Sequence, residues 1–562
     1  MNFAVWAPNA SRVELLTWSP DPLQPIEMTR TDDDWWFVDC EAADGWEYLF
    51  RLWNGSNSVD RLDPRARAVT NSVGRGIVQS IETHDRRGYV PPQLNEMVIY
   101  ELHPGTFGGD LDGVSKRLDH LHELGVNAIE LMPLGEFAGD VSWGYNPAMP
   151  FAVESTYGGP AALRRLVDAA HECGLAVIVD VVYNHLGPSD LDLWRFDGWF
   201  ENEGGGIYFY NDERAHTPWG ATRPDYGREE VRHYLIDNAR MWFAEYGVDG
   251  LRLDSTVNIR NIYGEGGDAG RLDAGADFLR ELNDVIHQEF PYAIMIAEDL
   301  QDDPTITIAT SEGGLGFDLQ WSARFVHTVR ASLISPNDDD RHVDELAHVI
   351  RAGDDATRIV YTESHDEVAN GSTRVPAEID ASDPHSVHAF RRTAIGAVLM
   401  MACPGVPMIF QGQEWTDTDW FDDGRDLDWT RVDEHAGSVT MWRDLIRLRR
   451  FDERTGGLRG DQTEVTTWGN GEQNNGAIII RRWGLGGRQD ATVVAINLFS
   501  SDLPFVELDL DPDRRWECLF ASDWSGYHAG GSDSVTSVGD GGCPLPPYGA
   551  VVITPVSAGA DG

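Results

Sequence analysis

Four short segments of this chain carry a strand-like apolar run up to an acidic residue. They are Val177-Ile178-Val179-Asp180, Gly250-Leu251-Arg252-Leu253-Asp254, Ile294-Met295-Ile296-Ala297-Glu298 and the longer Ile359-Val360-Tyr361-Thr362-Glu363-Ser364-His365-Asp366. Helical spacing precedes several such runs, and a glycine separates the two. Leu163, Leu166, Val167 and Ala170 lead to Gly174; Val231, Leu235, Trp242 and Tyr246 lead to Gly247. Val114, Leu118, Leu121 and Leu124 read as one further helix, stopped at Gly125. Repetition of helix, glycine and strand predicts a parallel sheet with helical crossovers. Eight strands are expected, at 98–102, 128–132, 176–181, 251–254, 293–297, 316–321, 358–363 and 406–411. That number predicts an α/β fold, a (β/α)8 TIM barrel, which gathers functional side chains at the C-terminal ends of its strands.

The flanks follow a different grammar. Before about residue 90, short alternating runs such as 13–18, 35–38 and 46–50 predict a β-sandwich; after about 455, runs at 465–468, 477–480, 492–496 and 551–553 predict an antiparallel β domain. The expected domains are therefore 1–90, 91–454 and 455–562.

Charge narrows the function. The 562 residues carry 93 Asp and Glu against 44 Lys and Arg, a formal net charge of -49, and Lys116 is the only lysine. A surface this acidic repels nucleic acid and anionic membrane, so neither is expected as a partner. Twenty Trp, 21 Phe and 16 Tyr argue against disorder. The composition instead suits a folded protein in molar salt, where a Debye length of roughly 3 Å screens self-repulsion. No long apolar run predicts a membrane helix, and the first residues lack a leader pattern, so a cytoplasmic location is expected. The five scattered cysteines form no disulfide framework or metal motif, and no cofactor is expected.

Paired carboxylates at strand ends suit glycosidic bond cleavage with retention, which needs a carboxylate nucleophile and a carboxylic acid about 5–5.5 Å apart. Arg252 shares a strand face with Asp254 and is expected to hold its charge by a bidentate bond. Glu298 ends an apolar run, and burial there would raise its pKa, as a general acid requires. His365 and Asp366 are candidates to bind sugar hydroxyls.

The motifs DVVYNH at 180–185, GLRLD at 250–254, IAED at 296–299 and ESHDE at 363–367 resemble, in order and spacing, the four sequence regions of the α-amylase family of glycoside hydrolases and transglycosylases. FAVWAPNA at 3–10 resembles the β-sandwich carbohydrate-binding module that precedes the barrel in branching and debranching members. The resemblance implies Asp254 as nucleophile, Glu298 as general acid/base and Asp366 as transition-state stabiliser. It implies that Arg252 orients Asp254, that His185 and His365 contact the sugar with support from Asp180, and that Tyr145 forms an aromatic platform. Asn184 matches a calcium ligand of secreted α-amylases, but partner ligands are not identifiable, and no metal site is assigned. The substrate implied is an α-1,4-glucan or maltooligosaccharide. ESHDE and Glu312-Gly313-Gly314 resemble 1,4-α-glucan branching enzymes, the favoured reading; DVVYNHLGP and TPWG at 217–220 resemble trehalose-releasing and debranching hydrolases. A glucan-binding protein without turnover is the alternative from another class, disfavoured because all three carboxylates are present.

Overall fold

The computed structural model describes residues 1–80, 82–351, 357–469, 476–533 and 536–556. Eight parallel strands form a closed barrel: β1 (Ile99–Leu102), β2 (Ala128–Leu131), β3 (Ala176–Val181), β4 (Gly250–Leu253), β5 (Ile294–Ala297), β6 (Leu319–Trp321), β7 (Arg358–Val360) and β8 (Val406–Phe410). Each pairs with its neighbours in chain order, and β8 closes on β1. All eight expected strands are present. Strands β6 and β7 are shorter than expected, because Gly316 takes a left-handed turn at φ 79° before β6 and the chain leaves β7 after Val360.

The crossovers follow the apolar spacing. Helix α1 (Gly159–Glu172) buries Leu163, Leu166, Val167 and Ala170. Helix α2 (Glu229–Tyr246) ends at Gly247, whose φ of 72° is left-handed. A Cβ there would also come within 2.2 Å of His84 Nδ1, so glycine is required twice over. The single helix expected over 114–124 is two helices, Leu111–Ser115 and Leu118–Leu124. Asp110 starts the first separately by accepting from Gly113 N at 2.6 Å, a cap that apolar spacing cannot register.

Residues 1–91, 103–118 and 130–319 make one compact unit. Within it, residues 2–77 form two antiparallel sheets, one of three strands and one centred on Arg12–Trp18 paired with Glu47–Asn54. These sheets are tied to the barrel elements of the same unit. Arg67 grips Glu245 through two 2.7 Å hydrogen bonds, Leu62 N donates to Asp192 at 2.6 Å, and Asn9 donates to Asp197 from both its backbone and its side chain at 2.9 Å. Residues 92–102, 119–129 and 320–562 make the other unit. Its C-terminal part is a five-stranded antiparallel sheet in the order Gln462–Trp468, Ala477–Trp483, Thr492–Asn497, Ala550–Pro555, Trp516–Ala521, with a two-stranded sheet beside it. Ile479, Val493, Ala495, Val506, Val551 and Ile553 share one core there. Among the described residues no helix is long and apolar enough to cross a membrane.

Candidate active site

Strand register builds the first cluster. Asp180 on β3 pairs with Arg252 on β4, and Arg252 pairs with Ile296 on β5. One step further Leu253 pairs with Ala297, so Asp254 and Glu298 are the next residues on two strands lying about 4.8 Å apart. Because strand side chains alternate, Asp254 and Glu298 rise on the face that Arg252 already occupies.

Arg252 is fully buried and bridges three carboxylates. Its Nη1 donates to Asp180 Oδ2 at 2.6 Å and to Asp254 Oδ1 at 3.1 Å, while Nη2 lies 3.1 Å from Glu298 Oε2. The bidentate bond to Asp254 expected from sequence is therefore not formed: the register places a second and a third carboxylate around the same guanidinium, which divides its donors among them. Glu298 is buried as its apolar run predicts, and it also accepts from Ser255 N at 2.7 Å.

Asp180 ends the row. Its Oδ2 accepts from Arg252 and from the Tyr145 hydroxyl at 2.5 Å, while its Oδ1 is buried without a hydrogen-bond partner. Burial pushes this carboxyl up to about 7, Arg252 opposing the rise and Asp254 adding to it. Tyr145 thus meets the cluster through its hydroxyl, with its ring 5.6 Å from the Arg252 guanidinium carbon. His185 joins indirectly. Its Nδ1 lies 2.5 Å from Asn184 Oδ1, and Asn184 Nδ2 donates to both the carbonyl and the Oδ2 of Asp254, at 2.9 and 2.5 Å. The side chain matched above to a calcium ligand is thus engaged with Asp254. Among the described residues no group of three or more His, Cys, Asp or Glu has the geometry to hold a metal ion. Burial lowers the pKa of His185, against the pull of Asp254, which keeps the imidazole neutral near pH 7.

His365 and Asp366 belong to a second cluster, with Glu101 on β1. Buried His365 donates from its backbone N to Glu101 Oε2 at 3.2 Å, its Nδ1 lies 2.5 Å from Glu101 Oε1, and its Nε2 lies 3.3 Å from Asp366 Oδ2. Burial pulls the His365 pKa down, but the Asp366 and Glu101 charges outweigh it and leave the imidazole raised well above its usual value. The Asp366 side chain is about half exposed (47%).

Three participants are given no part in the site from the sequence. Glu101 lies inside its strand run, before Leu102, and its partner is 264 positions away. Asn184 offers a readable signal, since it follows a strand and precedes a histidine, but its partner Asp254 does not show in the pattern. Trp219, 44% exposed, stacks on His185 with ring centroids 4.7 Å apart and 14° between planes. The visible signal there is TPWG: Thr217 and Gly220 bond each other's backbone, and the tight turn presents the indole.

This geometry, parallel strands ending in a guanidinium-bridged carboxylate row, can be compared with that of known proteins, and the comparison shows the family. The family model for the catalytic domain of alpha amylase matches residues 66–195 and 194–455, well over half of the chain. Carbohydrate-binding module 48, the isoamylase N-terminal domain, matches residues 1–66. The chain belongs to the α-amylase family and is an enzyme of that class. It is 32% identical over 484 residues to a 1,4-alpha-glucan branching enzyme of Nocardia farcinica, spanning 80% of this chain and 63% of that protein. It is 31% identical over 453 residues to the malto-oligosyltrehalose trehalohydrolase of Saccharolobus solfataricus, spanning 74% and 73% of the two. Among solved structures, a pullulanase from Paenibacillus barengoltzii in complex with maltohexaose and alpha-cyclodextrin superposes with a TM-score of 0.75 at 19% identity, covering 98% and 93% of the two chains.

Proposed function

We propose that this α-amylase-family, glucan-active enzyme is a retaining 1,4-α-glucan branching enzyme. The observation that carries the retaining chemistry is the single guanidinium of Arg252 shared by Asp180, Asp254 and Glu298, and branching is favoured by ESHDE at 363–367 and by the branching-enzyme relative. In this mechanism Glu298 gives its proton to the glycosidic oxygen as the Asp254 carboxylate attacks the anomeric carbon. The C–O bond breaks, the shortened glucan leaves, and a glycosyl ester forms on Asp254. Glu298, now a carboxylate, then takes the proton of an incoming 6-hydroxyl as that oxygen displaces Asp254, forming an α-1,6 branch. Arg252 and the Asn184 amide hold Asp254 ionised and aimed. Asp366 is assigned to stabilise positive charge on the ring, His185 and His365 to bind the sugar, and Tyr145 to flank it, all on the family motifs that they occupy. The proposed domains remain 1–90, 91–454 and 455–562, the acidic composition favours work at high salt, and the proposed location is the cytoplasm.

Hydrolysis is the second reading, favoured by the TPWG turn that sets Trp219 on His185 and by the trehalohydrolase relative. Here water replaces the acceptor hydroxyl. Incubation with amylose in molar salt separates the two. Branching lowers iodine staining with few new reducing ends, whereas reducing sugar that rises in step with the lost colour establishes the hydrolase.

A further inference from the structure

A cavity of about 410 Å³ opens among residues 384–438 and 525–529, within the range of small-molecule pockets and distinct in its residues from the carboxylate row. Its walls bring together flat rings, uncharged polar groups and one carboxylate, Glu434. His385 and His435 stack with centroids 4.1 Å apart, and Phe390 stacks on His528 at 4.9 Å. Tyr527 is fixed by its hydroxyl on Asp444 at 2.8 Å, and Trp524 stands edge-on to it at 4.9 Å with 45% of its surface exposed.

Two further features mark a built site. Ser438 lines the cavity, is 4% exposed, and its hydroxyl has no hydrogen-bond partner. Thr416, also on the wall, is a buried β-branched residue held at φ 54°, a conformation that costs energy and collects at functional positions. The loop carrying Tyr527 presses so closely on the helix Ala436–Arg450 that a Cβ at Gly437 would lie 2.3 Å from the Tyr527 carbonyl oxygen.

We infer that this cavity is a second glucan-binding site, taking a short stretch of an α-glucan chain. The rings offer faces to the C–H surfaces of pyranoses, which are flat and apolar on one side. The hydroxyls and imidazoles can both donate to and accept from sugar hydroxyls. Burial lowers the pKa of both His385 and His435, with Arg431 lowering them further and Asp417 opposing, so both imidazoles are neutral near pH 7 and suit an uncharged ligand. A net charge of -49 disfavours anions. The inference rests on the glucan reading above. A site that only holds the chain raises apparent affinity for a polymer able to occupy it and the catalytic centre together, and leaves short substrates unaffected.

The test is the double variant His385→Ala/His435→Ala of the full chain, compared with the parent in molar salt. The half-saturating amylopectin concentration is expected to rise about tenfold while maltohexaose turnover and the melting temperature hold. Ser438→Val, which removes only the unpartnered hydroxyl, is expected to move the amylopectin value in the same direction by a smaller factor. Amylopectin saturation unchanged in both variants, with maltohexaose turnover normal, overturns this site and leaves the catalytic reading standing. A parent that neither binds nor turns over any glucan overturns both.

Discussion

Two buried arginine clusters in this protein solve opposite problems. Around Arg252, one guanidinium serves three carboxylates. Around Arg449 and Arg482, two buried guanidinium groups have no ion-paired carboxylate among the described residues, and backbone carbonyls take the donors. Arg449 bonds the carbonyls of Cys403, Gly405 and Leu458 at 3.2, 2.7 and 2.6 Å, and Arg482 bonds those of Cys403 and Gly460 at 2.9 and 2.5 Å. Cys403 caps the helix Val387–Ala402, so these cations sit at a helix C-terminus, where the helix dipole favours positive charge. Burial lowers the pKa of both, that of Arg482 to about 10.

The difference separates a staple from a reactive centre. Carbonyls cannot change protonation, so the Arg449 cluster joins loop 401–405 to loop 458–460 with a fixed hydrogen-bond pattern. The carboxylates around Arg252 outnumber their counter-charge. They are held in place, and in the proposed mechanism Asp254 attacks while Glu298 moves the proton.

The comparison is broken most directly by removing each cation. Arg252→Met is expected to lower kcat/KM at least about hundredfold, because misplacing a reacting group by about an ångström costs that much. Arg449→Met is expected to leave turnover per folded molecule unchanged and to cost about 2–4 kcal/mol of stability, since buried carbonyls lose their donor. Chemical unfolding and steady-state rates in molar salt check both. Equal effects of the two substitutions on rate would erase the distinction.

A smaller effect sharpens it through pH. The Asp180 carboxyl is raised to about 7 in the fold, so the folded state holds a proton that the unfolded chain releases near pH 4. The stability contributed by this group is complete below about pH 4 and is lost as pH rises through about 7. Asp180→Asn cannot ionise, so its melting temperature is expected to gain on the parent's between pH 4.5 and 7.5. A difference independent of pH would show that Asp180 ionises freely in the fold. No such pH term is expected for Arg449→Met, whose neighbours do not titrate in that window.

Much of this was legible in the sequence, and the reasons for the gaps are physical. The helix–glycine–strand repeat located three barrel strands and apolar runs the others, because burial on both faces makes such strands continuous apolar runs. Asp180, Arg252, Asp254 and Glu298 were found because each closes or interrupts one of those runs. Their division of one guanidinium was not visible, since it depends on register between strands about seventy and forty residues apart. Glu101 stayed hidden because one acidic residue within an apolar run looks like any other until its histidine is placed. The Arg449 staple gave no signal, since its acceptors are main-chain carbonyls, which every residue has.

The central claim is that Asp254 forms the covalent bond to sugar while Glu298 handles the proton. Glu298→Gln exposed to maltosyl fluoride, whose leaving group needs no proton, can form the ester but cannot readily release it. Proteolysis and mass spectrometry are expected to find a maltosyl group on the peptide containing Asp254. An adduct on a different carboxylate, or free maltose released at the parent's rate with no adduct at all, would contradict the account.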